Sequence, residues 1–485
     1  MKLSELAERI PGSRLVGAGD VDLCRAVHDS RGVQPGDLFV AMSGTKVDGH
    51  RFVQAAIDAG ARAAVVERPV ELAAQPPLLV VRDPHEALGL AAHALAGDPT
   101  RRLTVCGITG TSGKTTTSIL VRSILHAWGR PSGLLGTITY ELGRRTVSSN
   151  MTTPDSSELA AYFAEMVESG LRAAVMEVSS HALHQRRTAG IRFAAAAFTN
   201  LTPEHMDYHP TIEHYRDAKG LLFEGLERDA WAILNADDPQ GEHYAKHTPA
   251  HVLTYGLDHK ADVTAENLAV DLRGCRFTLV TPRGRMKVHS PLLGRHNACN
   301  SLTAAAMGEA LGVPLETIAE GLASVKTVRG RLETVPSDKP FTVLVDYAHK
   351  TDALQHALSA IADLMNADGR LIVVFGCGGD RDRQKRPQMA KVAEQLADRV
   401  IVTSDNPRSE KPEAIIDEIL TGFTSRGSVI VEVDRRAAIE MALREARPGD
   451  VVVIAGKGHE TYQILGGVKR DFDDRAVAAE ILSQI

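Results

Sequence analysis

Short continuous apolar runs alternate with helical stretches along the first hundred residues. The runs lie at 37–42, 63–67 and 78–81, and the spacing of apolar positions predicts a helix over 84–97. Apolar positions that are continuous rather than alternating indicate strands buried on both faces, as in parallel sheets covered by helices. The pattern therefore predicts a small α/β domain.

The alternation continues in the middle of the chain and then changes. Apolar runs at 172–176, 193–199 and 230–234 are separated by helical patterns, which favours a mainly parallel sheet. Around 251–290 the runs become short and are separated by Gly and Pro, which predicts an antiparallel excursion. A helix is predicted over 296–311.

The last part of the chain returns to alternating strands and helices. Its apolar runs lie at 342–346, 370–375, 399–403, 428–433 and 450–454. This pattern predicts an open α/β sheet, in which ligands collect at the carboxyl ends of the strands. The strings GCGGDRD, SDNPR and AGKGHE each follow a run, so we expect them at that edge.

Together these patterns predict an α/β chain of three domains. The segment GDPTRR at 97–102 combines turn residues with charge and is interpreted as a linker. We expect a small N-terminal α/β domain at 1–98 and a central P-loop ATPase-type domain with a mainly parallel sheet at 99–329. A Rossmann-like α/β domain is expected at 330–485.

Composition narrows the class of protein. The chain has 485 residues, a formal net charge of −6 and 4% aromatic residues, which argues against a nucleic-acid partner. Its N-terminus lacks the apolar core of a secretion signal, and no uncharged apolar run approaches the ~20 residues that span a bilayer. The five scattered cysteines form no C-x-x-C pair, as in proteins of a reducing cytosol. We therefore expect a cytoplasmic protein without a membrane partner.

The segment TVCGITGTSGKTTT at 104–117 has the features of a nucleotide phosphate loop. An apolar run ends in a glycine-rich turn, and Lys114 and Thr115 follow at the predicted start of a helix, whose dipole favours a phosphate. Lys114 can reach the β- and γ-phosphates, and the Thr115 hydroxyl can bind Mg²⁺. Ile108 stands where the usual loop has glycine, so a chance turn is the alternative. The order of strand, loop, lysine, hydroxyl and helix favours a nucleoside triphosphate site.

Three further residues are candidates for metal and phosphate chemistry. Glu177 follows an apolar run in MEVSSH and could hold Mg²⁺, although a surface ion pair is the alternative. His205 lies in the dense polar string FTNLTPEHMDYH and could contact a metal or be a satisfied structural histidine. Lys219 lies on a predicted helix in HYRDAKGLLF, where an ordinary lysine is a solvated cation.

Two asparagines and a strand-end aspartate are candidates for the nucleoside. Asn297 and Asn300 are three residues apart in LGRHNACNSLTAA, so we expect both on one helix face, where their amides suit a purine edge. Helix capping is the alternative for Asn297. Asp346 ends an apolar run in VDYAH and could accept from ribose hydroxyls. Arg329 and Arg331 lie upstream and could neutralise a transferring phosphate.

The third predicted domain carries residues that suit an amino acid as ligand. Arg381 lies in GGDRDRQKRP and Arg408 in SDNPR, and a guanidinium matches a carboxylate bidentately. Asp405 and Glu460 offer complementary anions for an ammonium group. Two arginines with two carboxylates predict a zwitterion clamp, with ordinary surface charges as the alternative.

These strings resemble the Mur ligases, the ATP-dependent amide-forming enzymes of peptidoglycan precursor synthesis. The resemblance spans almost the entire chain and rests on GITGTSGKTT, MEVSSH, FTNLTPEHMDYH, the lysine of HYRDAKGLLF, LGRHNACNS, VDYAH, GCGGDRD and AGKGHE. DNPR at 405–408 resembles the string of the members that add diaminopimelate rather than lysine.

The resemblance implies an activity, its substrates and its cofactor. A ligase of this kind adds meso-diaminopimelate to the D-glutamate of UDP-N-acetylmuramoyl-L-alanyl-D-glutamate through an acyl phosphate, with ATP as co-substrate and Mg²⁺ as cofactor. The implied catalytic residues are Lys114, Glu177, His205 and Lys219. The implied metal-binding groups are Thr115, Glu177, His205 and Lys219 as its carbamate. We expect a monomer with small-molecule partners.

The resemblance also implies three sets of binding residues. The set for ATP is Gly110, Thr111, Ser112, Gly113, Lys114, Thr115, Thr116, Asn297, Asn300, Arg331 and Asp346. The set for the UDP-muramoyl dipeptide is Ser30, Thr45, Lys46, Val47, Thr152, Thr153, Ser179, Gln185 and Arg187. The set for diaminopimelate is Arg381, Asp405, Asn406, Pro407, Arg408, Gly456 and Glu460.

Two positions depart from the family's pattern. Lys350 and Thr351 stand where the family usually has Thr-Pro after DYAH, so the geometry of the ribose contact is open. Met151 replaces a polar residue that often precedes the paired threonines and is not expected to contact substrate.

Three other functions are compatible with parts of the sequence. A lysine-adding relative and a folylpolyglutamate synthetase-like ligase are the alternatives among enzymes, although DSRGVQPGDLFVAM resembles the uridine-nucleotide domain and argues against the latter. A nucleotide-switched binding protein without ligase chemistry is the third. The presence of Lys114, Glu177, His205 and Lys219 together argues against it.

Overall fold

The computed structural model describes residues 1–44, 47–73, 75–365, 368–425, 427 and 429–485. Its mixed α/β architecture confirms the predicted fold class, with separate sheets near the N-terminus, in the centre and near the C-terminus. The chain divides into two compact units. The first unit comprises Met1–Glu266, Thr278–Met286 and Cys299–Leu322, and the second comprises Asn267–Phe277, Lys287–Ala298 and Ala323–Ile485. The domain boundaries at 98/99 and 329/330 remain predictions.

The first sheet is built from the N-terminal residues. Its strands are β1 (Arg14–Val16), β2 (Ala26–Val27), β3 (Leu38–Val40), β4 (Ala63–Val66) and β5 (Leu78–Val80). Their order is β1-β5-β4-β3-β2, with β1 antiparallel and the other pairs parallel. The accompanying helices are α1 (Leu3–Arg9), α2 (Val53–Asp58) and α3 (Pro84–Leu95), with 3₁₀ turns at Ser30–Gly32, Gly49–Phe52 and Pro99–Arg101. The predicted strands and the predicted helix over 84–97 are confirmed.

The central sheet holds the predicted phosphate loop. Its strands are β6 (Thr104–Thr109), β7 (Ser132–Leu135), β8 (Thr139–Glu141), β9 (Thr146–Ser148), β10 (Ala173–Glu177), β11 (Ala195–Phe198), β12 (Trp231–Asn235) and β13 (His251–Tyr255). In the described chain they run in the order β13-β12-β11-β6-β10-β7-β8-β9. Its helices are α4 (Lys114–Ala127), α5 (Ser156–Glu168), α6 (Ser180–His184), α7 (Ile212–Glu224) and α8 (Pro239–His247). The strands β6 and β10 to β12 are almost wholly buried, which explains their continuous apolar runs.

The predicted antiparallel excursion around 251–290 is wrong at its start. β13 pairs in parallel with β12, because helix α8 crosses between the two strands and returns the chain in the same direction. A separate sheet of β14 (Thr264–Asp271), β15 (Gly274–Thr281) and β16 (Gly284–Ser290) follows. Two helices come next, α9 (Arg295–Ala310) and α10 (Leu315–Ser324), and α9 confirms the predicted helix over 296–311.

The last large sheet is mainly parallel and confirms the open α/β arrangement predicted for this region. Its strands are β17 (Glu333–Thr334), β18 (Thr342–Asp346), β19 (Leu371–Phe375), β20 (Arg399–Val402), β21 (Val429–Val431) and β22 (Val451–Ala455). Their order is β17-β18-β22-β19-β20-β21, and β17 pairs antiparallel to β18. A hairpin of β23 (Tyr462–Leu465) and β24 (Val468–Asp471) lies beyond it. The helices are α11 (Thr351–Ala362), α12 (Lys385–Leu396), α13 (Pro412–Leu420), α14 (Arg435–Glu445) and α15 (Asp474–Leu482).

Side-chain caps fix where several helices begin. Asp155 precedes α5, where its carboxylate accepts the Glu158 N–H at 3.0 Å and Glu158 reaches back to the Asp155 N–H. Asp83 accepts the His85 N–H at 2.9 Å before α3, whose first residue is Pro84. Both arrangements satisfy N–H groups that a helix leaves unpaired at its start. No helix in the described ranges is long and apolar enough to cross a membrane.

A fully buried ion pair joins the last two helices. Arg435 of α14 donates from Nε and Nη2 to the two carboxylate oxygens of Asp474 of α15, each at 2.7 Å. Arg435 Nη2 also donates to the Ala455 carbonyl at 3.0 Å, at the end of β22. Neither side chain of the pair is exposed, so each charge depends on the other for its solvation.

We predict that Asp474→Asn lowers the free energy of unfolding by about 3–5 kcal/mol, because it leaves the Arg435 charge buried without a counter-charge. Chemical denaturation followed by circular dichroism measures the change. Glu480→Gln is the matched control, since it removes the carboxylate of the exposed Arg436–Glu480 pair between the same helices. The control should change stability only slightly, and equal small effects of both substitutions would contradict the prediction.

Candidate functional site

The phosphate loop lies between the end of β6 and the start of α4, as predicted. Gly110 has a φ of 149° and Gly113, which caps α4, has a φ of 86°. A Cβ on Gly113 would lie 2.5 Å from the Asn300 Oδ1 atom. Glycine is therefore required at 113 by both backbone conformation and space. The close approach also places Asn300, a predicted ATP-binding residue, against the loop.

Residues after β11 hold the loop in shape. The Thr111 N–H donates to the Asn200 carbonyl at 2.8 Å, and the Ser112 N–H donates to the Asn200 side-chain oxygen at 2.9 Å. The Thr199 hydroxyl donates to the Ser112 carbonyl at 2.6 Å. Thr199 and Asn200 were absent from the predicted site, although Asn200 lies in the polar string that marked His205.

Two lysines converge on the loop. Lys114 Nζ donates to the carbonyls of Gly110 and Thr111, each at 2.8 Å, and Lys219 Nζ donates to the Gly110 carbonyl at 3.0 Å. Lys219 lies on α7, is 1% exposed, and its amine lies 4.4 Å from the centre of the Tyr215 ring. Burial, followed by the charge of Lys114, lowers the pKa of Lys219 well below its usual value. Lys219 is thus a buried amine and not the solvated cation that was the alternative.

Glu177 is a buried acceptor at the end of β10. It is 1% exposed, and its Oε2 atom accepts from the hydroxyls of Thr115 and Thr137, each at 3.0 Å. Its Oε1 atom accepts the Thr137 N–H at 2.8 Å. The alternative of a surface ion pair is therefore wrong. Thr137 is a contact that the sequence did not mark, since it follows β7 in a segment without a motif.

The oxygen atoms of Thr115 and Glu177 suit a hard cation such as Mg²⁺. No group of three or more His, Cys, Asp or Glu side chains that could hold a metal occurs among the residues described. Lys219 would add oxygen ligands only after carbamylation. The metal set of Thr115, Glu177, His205 and Lys219 therefore remains a prediction.

The histidine-rich loop after β11 packs against α6. His205 has a φ of 59°, its Nε2 atom lies 3.8 Å from Glu204 Oε2, and its ring centre lies 4.9 Å from that of His181. His209 is fully buried, and its Nε2 atom shares a hydrogen bond of 3.0 Å with the Ser180 hydroxyl. Burial, followed by the charge of His181, lowers the pKa of His209 to about 4. A neutral His209 supports the loop that presents His205.

Five residues predicted for the muramoyl dipeptide lie close together in the first unit. Thr153 accepts the Ser179 N–H at 3.0 Å, and Arg187 donates to the Thr153 carbonyl at 3.0 Å. Arg187 also donates to the Gln185 side chain at 2.5 Å, and Thr152 and Thr137 share a hydrogen bond of 3.2 Å between their hydroxyls. Thr137 therefore contacts both a predicted dipeptide residue, Thr152, and the Glu177 carboxylate.

The residues predicted for the uridine nucleotide are less completely defined. Ser30 begins the 3₁₀ turn Ser30–Gly32, after Asp29, whose carboxylate accepts the Arg31 N–H at 3.0 Å. Val47 is 51% exposed. Thr45 and Lys46 lie outside the described residues.

The remaining predicted ATP residues lie at element ends. Asn297, in the first turn of α9, donates to the Leu293 carbonyl at 2.7 Å. Asp346 ends β18, and its carboxylate accepts the Leu332 N–H at 2.7 Å. Burial raises the pKa of Asp346, while the charge of Arg331 opposes the shift. The roles of Asn297, Arg331 and Asp346 in ATP binding remain predictions.

A cavity of about 640 Å³ lies at the carboxyl edge of the last sheet, within the second unit. Six of the seven residues predicted for diaminopimelate line it: Arg381, Asp405, Asn406, Arg408, Gly456 and Glu460. The seventh, Pro407, is buried, and its carbonyl accepts the Glu410 N–H at 3.0 Å. Further lining residues had not been predicted as amino-acid contacts: Tyr347, His349, Lys350, Thr351, Asp352, Gly378, Asp382, Lys385, Gln388 and Tyr462.

A polar network orders one wall of this cavity. Asn406 donates to Glu460 Oε2 at 2.8 Å, and the buried Lys457 donates to Asn406 Oδ1 at 3.2 Å and to Glu460 at 3.4 Å. The Ile464 N–H donates to the same Asn406 oxygen at 3.0 Å. These contacts fix the amide orientation of Asn406. They also hold the Glu460 carboxylate, which accepts from Asn406 and Lys457.

The hairpin β23–β24 sets the backbone of Arg408. Arg408 has a φ of 55°, a conformation that non-glycine residues adopt at a cost. Its N–H donates to the Ile464 carbonyl at 3.0 Å, and its carbonyl accepts the Gly467 N–H at 3.3 Å. Its Nη1 atom donates to the Gly379 carbonyl at 2.6 Å. The hairpin therefore fixes the backbone of Arg408, whose side chain lines the cavity.

Lys385 is the main charged residue of the cavity that the sequence did not mark. Its Nζ atom donates to the His349 carbonyl at 2.7 Å, and burial lowers its pKa. The signal was present in GGDRDRQKRP, but it was hidden among neighbouring charges, most of which are exposed. Its position at the first turn of α12, beside the end of the preceding loop, became evident only in the fold.

Three models of Mur ligase domains match separate parts of the chain. Residues 108–308 match the Mur ligase middle domain, residues 330–458 match the Mur ligase glutamate ligase domain, and residues 27–95 match the domain described as the Mur ligase family catalytic domain.

Full-length relatives agree with the domain matches. The chain is 45% identical to the UDP-N-acetylmuramoyl-L-alanyl-D-glutamate–2,6-diaminopimelate ligase of Bacillus licheniformis, with 100% of both chains covered. It is 48% identical to the ligase of that name from Gloeobacter violaceus, with 100% of this chain and 98% of the other covered. A solved structure of a ligase of the same name superposes with a TM-score of 0.76 at 32% identity, covering 100% of this chain and 99% of the other. The chain therefore belongs to the Mur ligase family.

Proposed function

We propose that the chain is an ATP-dependent ligase that adds meso-diaminopimelate to UDP-N-acetylmuramoyl-L-alanyl-D-glutamate in peptidoglycan precursor synthesis. The observation that carries the proposal is the second unit's cavity, in which the two arginines and two carboxylates of the predicted zwitterion clamp are all among the lining residues. The names of full-length relatives in the same family support this substrate. The phosphate loop of the first unit supports ATP as the activating co-substrate.

The first chemical step is phosphoryl transfer. The D-glutamate carboxylate attacks the γ-phosphorus of ATP, the bond to the β–γ bridging oxygen breaks, and an acyl phosphate and ADP form. Both reactants are anionic, so the barrier falls when cationic groups screen their repulsion and hold them in line. Lys114 supplies this charge at the loop, and the N-terminus of α4 directs N–H groups at the phosphates.

The second step forms the amide. A neutral amine of diaminopimelate attacks the acyl carbonyl, phosphate leaves with the former carboxylate oxygen, and the nitrogen loses a proton. Glu460 and Asp405 are suited to hold the ammonium group of the amino-acid centre that does not react, and Arg381 and Arg408 to hold carboxylates. ATP is required because an amine and a carboxylate otherwise form only an unreactive salt pair.

The residues at the phosphate loop fit a divalent cation. Thr115 and Glu177 would supply oxygen ligands, and His205 and a carbamylated Lys219 would complete the set. Bound Mg²⁺ would neutralise phosphate charge during transfer. A carbamate forms when a neutral amine attacks CO₂ and loses a proton, and the lowered pKa of the buried Lys219 favours that neutral amine.

A substrate panel tests the proposed function. ADP and phosphate should form only when ATP, the nucleotide-linked dipeptide and meso-diaminopimelate are present together. Turnover with L-lysine instead would indicate the lysine-adding alternative, and turnover with a folate substrate and glutamate would indicate a folylpolyglutamate synthetase-like ligase. ATP binding without turnover on any substrate would indicate a nucleotide-switched binding protein. We also propose that the enzyme acts as a cytoplasmic monomer.

We predict that Gly113→Ala weakens ADP binding by at least about tenfold, or about 1.4 kcal/mol. The added methyl group would overlap the Asn300 side chain and displace the loop. Calorimetric titration with ADP measures the effect. Gly129→Ala is the matched control, because Gly129 has a similar φ of 71° but no described atom within 4 Å of where its methyl group would lie. Equal affinities of the two variants would be inconsistent with the packing argument.

We predict that Lys219→Ala nearly abolishes ligase activity and that Lys219→Glu restores part of it. Glutamate supplies the anionic oxygens that the carbamate would provide, whereas alanine supplies none. ADP release under saturating substrates measures both rates, with the exposed Lys246→Ala as the control that should retain activity. Full activity of Lys219→Ala would end the carbamate proposal.

We predict that Arg408→Ala loses discrimination between meso-diaminopimelate and L-lysine. Lysine lacks the distal carboxylate, so the wild-type preference should fall by about 1.5–3 kcal/mol, or roughly 10- to 150-fold in the ratio of kcat/KM values. Arg444→Ala removes an exposed arginine outside the cavity and should leave the ratio unchanged. If Arg408→Ala keeps the full preference, another residue selects the substrate.

A further inference from the structure

A second concave surface, which we call the arginine cavity, lies in the first unit. It has a volume of about 550 Å³ and is lined by Arg101, Arg102, Arg130, Arg172 and Arg192. No motif in the sequence marked it, because its arginines are scattered over ninety residues. None of them belongs to the predicted ATP, dipeptide or amino-acid residues.

The sheet topology explains why these arginines meet. Arg101 and Arg102 precede β6, Arg130 precedes β7, Arg172 precedes β10 and Arg192 precedes β11. These four strands are parallel neighbours in the order β11-β6-β10-β7. Each therefore presents basic residues at its amino end, whereas the phosphate loop lies at the carboxyl end of β6.

Backbone hydrogen bonds hold the segments that carry the arginines. The Arg101 N–H donates to the Asp98 carbonyl at 3.0 Å, and the Arg172 N–H donates to the Pro131 carbonyl at 2.9 Å. The Arg192 N–H donates to the Thr100 hydroxyl at 3.2 Å. The backbone from which the guanidinium groups project is thus held by hydrogen bonds, so binding a ligand need not order it.

The charge of the cavity is only partly balanced. Arg192 pairs with Glu227 at 2.7 Å and with Asp229 at 2.6 Å. Arg130 lies 4.0 Å from the centre of the Trp128 ring. Among the described residues, Arg101, Arg102 and Arg172 form no ion pair, and all three are exposed. Five guanidinium groups therefore face two carboxylates, and this local excess of positive charge occurs in a chain with a net charge of −6.

The shape and chemistry select one class of ligand. Guanidinium groups bind phosphate oxygens through paired hydrogen bonds. A concave space of this size suits a small molecule better than a flat lipid surface or a nucleic-acid duplex. We propose that the arginine cavity binds a small anion with two or more phosphate groups, either an inorganic polyphosphate or the phosphate chain of a nucleotide. This proposal does not depend on the proposed function.

Calorimetric titration of the full-length protein with inorganic tripolyphosphate tests the proposal. Any tripolyphosphate that the phosphate loop binds, at the opposite edge of the sheet, is common to wild type and variants and cancels in their comparison. Wild-type protein should show a binding event that Arg102→Ala/Arg172→Ala weakens at least tenfold. The matched control Arg62→Ala/Arg82→Ala, which removes two exposed arginines elsewhere in the first unit, should bind like wild type. Unchanged circular dichroism spectra and thermal unfolding verify that each variant is folded.

Competition then identifies the source of the phosphate chain. Displacement of the arginine-dependent tripolyphosphate by excess ATP would support a nucleotide, and lack of displacement would support an inorganic polyphosphate. The proposal is overturned if wild type binds no tripolyphosphate, or if the double variant binds it as wild type does. Equal binding of citrate would also overturn it, because the site would then respond to charge alone. Arginine-dependent binding to anionic vesicles without tripolyphosphate binding would assign the surface to a membrane instead.

Discussion

A single carbonyl oxygen, that of Gly110, accepts hydrogen bonds from both Lys114 and Lys219, and the chemistry of the first unit depends on this shared acceptor. Burial disfavours the charged form of Lys219, and the nearby charge of Lys114 lowers its pKa further. Two lysines on one acceptor therefore differ in environment. Under the proposed function, Lys114 would carry charge toward a phosphate, and the lowered pKa of Lys219 would favour the amine that a carbamate requires.

The order of strands places other polar groups around the phosphate loop and the start of α4. β6 lies between β10 and β11, and all three run in the same direction, so their carboxyl ends meet. Glu177 arrives from one neighbour, and Thr199 and Asn200 arrive from the other. The loop is therefore shaped by residues that are distant in sequence, and changes in the packing of β10 or β11 would be transmitted to it directly.

The sequence predicted those features that depend on local pattern. The strand at 342–346 was located to the residue, and Lys219 was placed on the helix that carries it, because apolar runs and helical spacing are local signals. Sequence alone could not give the direction of β13, which depends on the crossover through α8. It also did not reveal Thr137 or Lys385, because no sequence motif marks either residue. Thr137 contacts Glu177, and Lys385 lines the cavity, only once the chain is folded. The predicted clamp residues were found together because each follows a strand of the same sheet.

Arg408 lines the cavity, whereas Ile464 and Gly467, which hold its backbone, do not. The β24 side chains are all exposed, yet the turn before them accounts for the backbone conformation of an arginine in the cavity. Lengthening or shortening that turn would shift the Arg408 guanidinium without altering any residue that lines the cavity. Amino-acid preference within such a fold can therefore change through insertions and deletions at the protein surface. A comparison of cavity-lining residues alone would miss such a change.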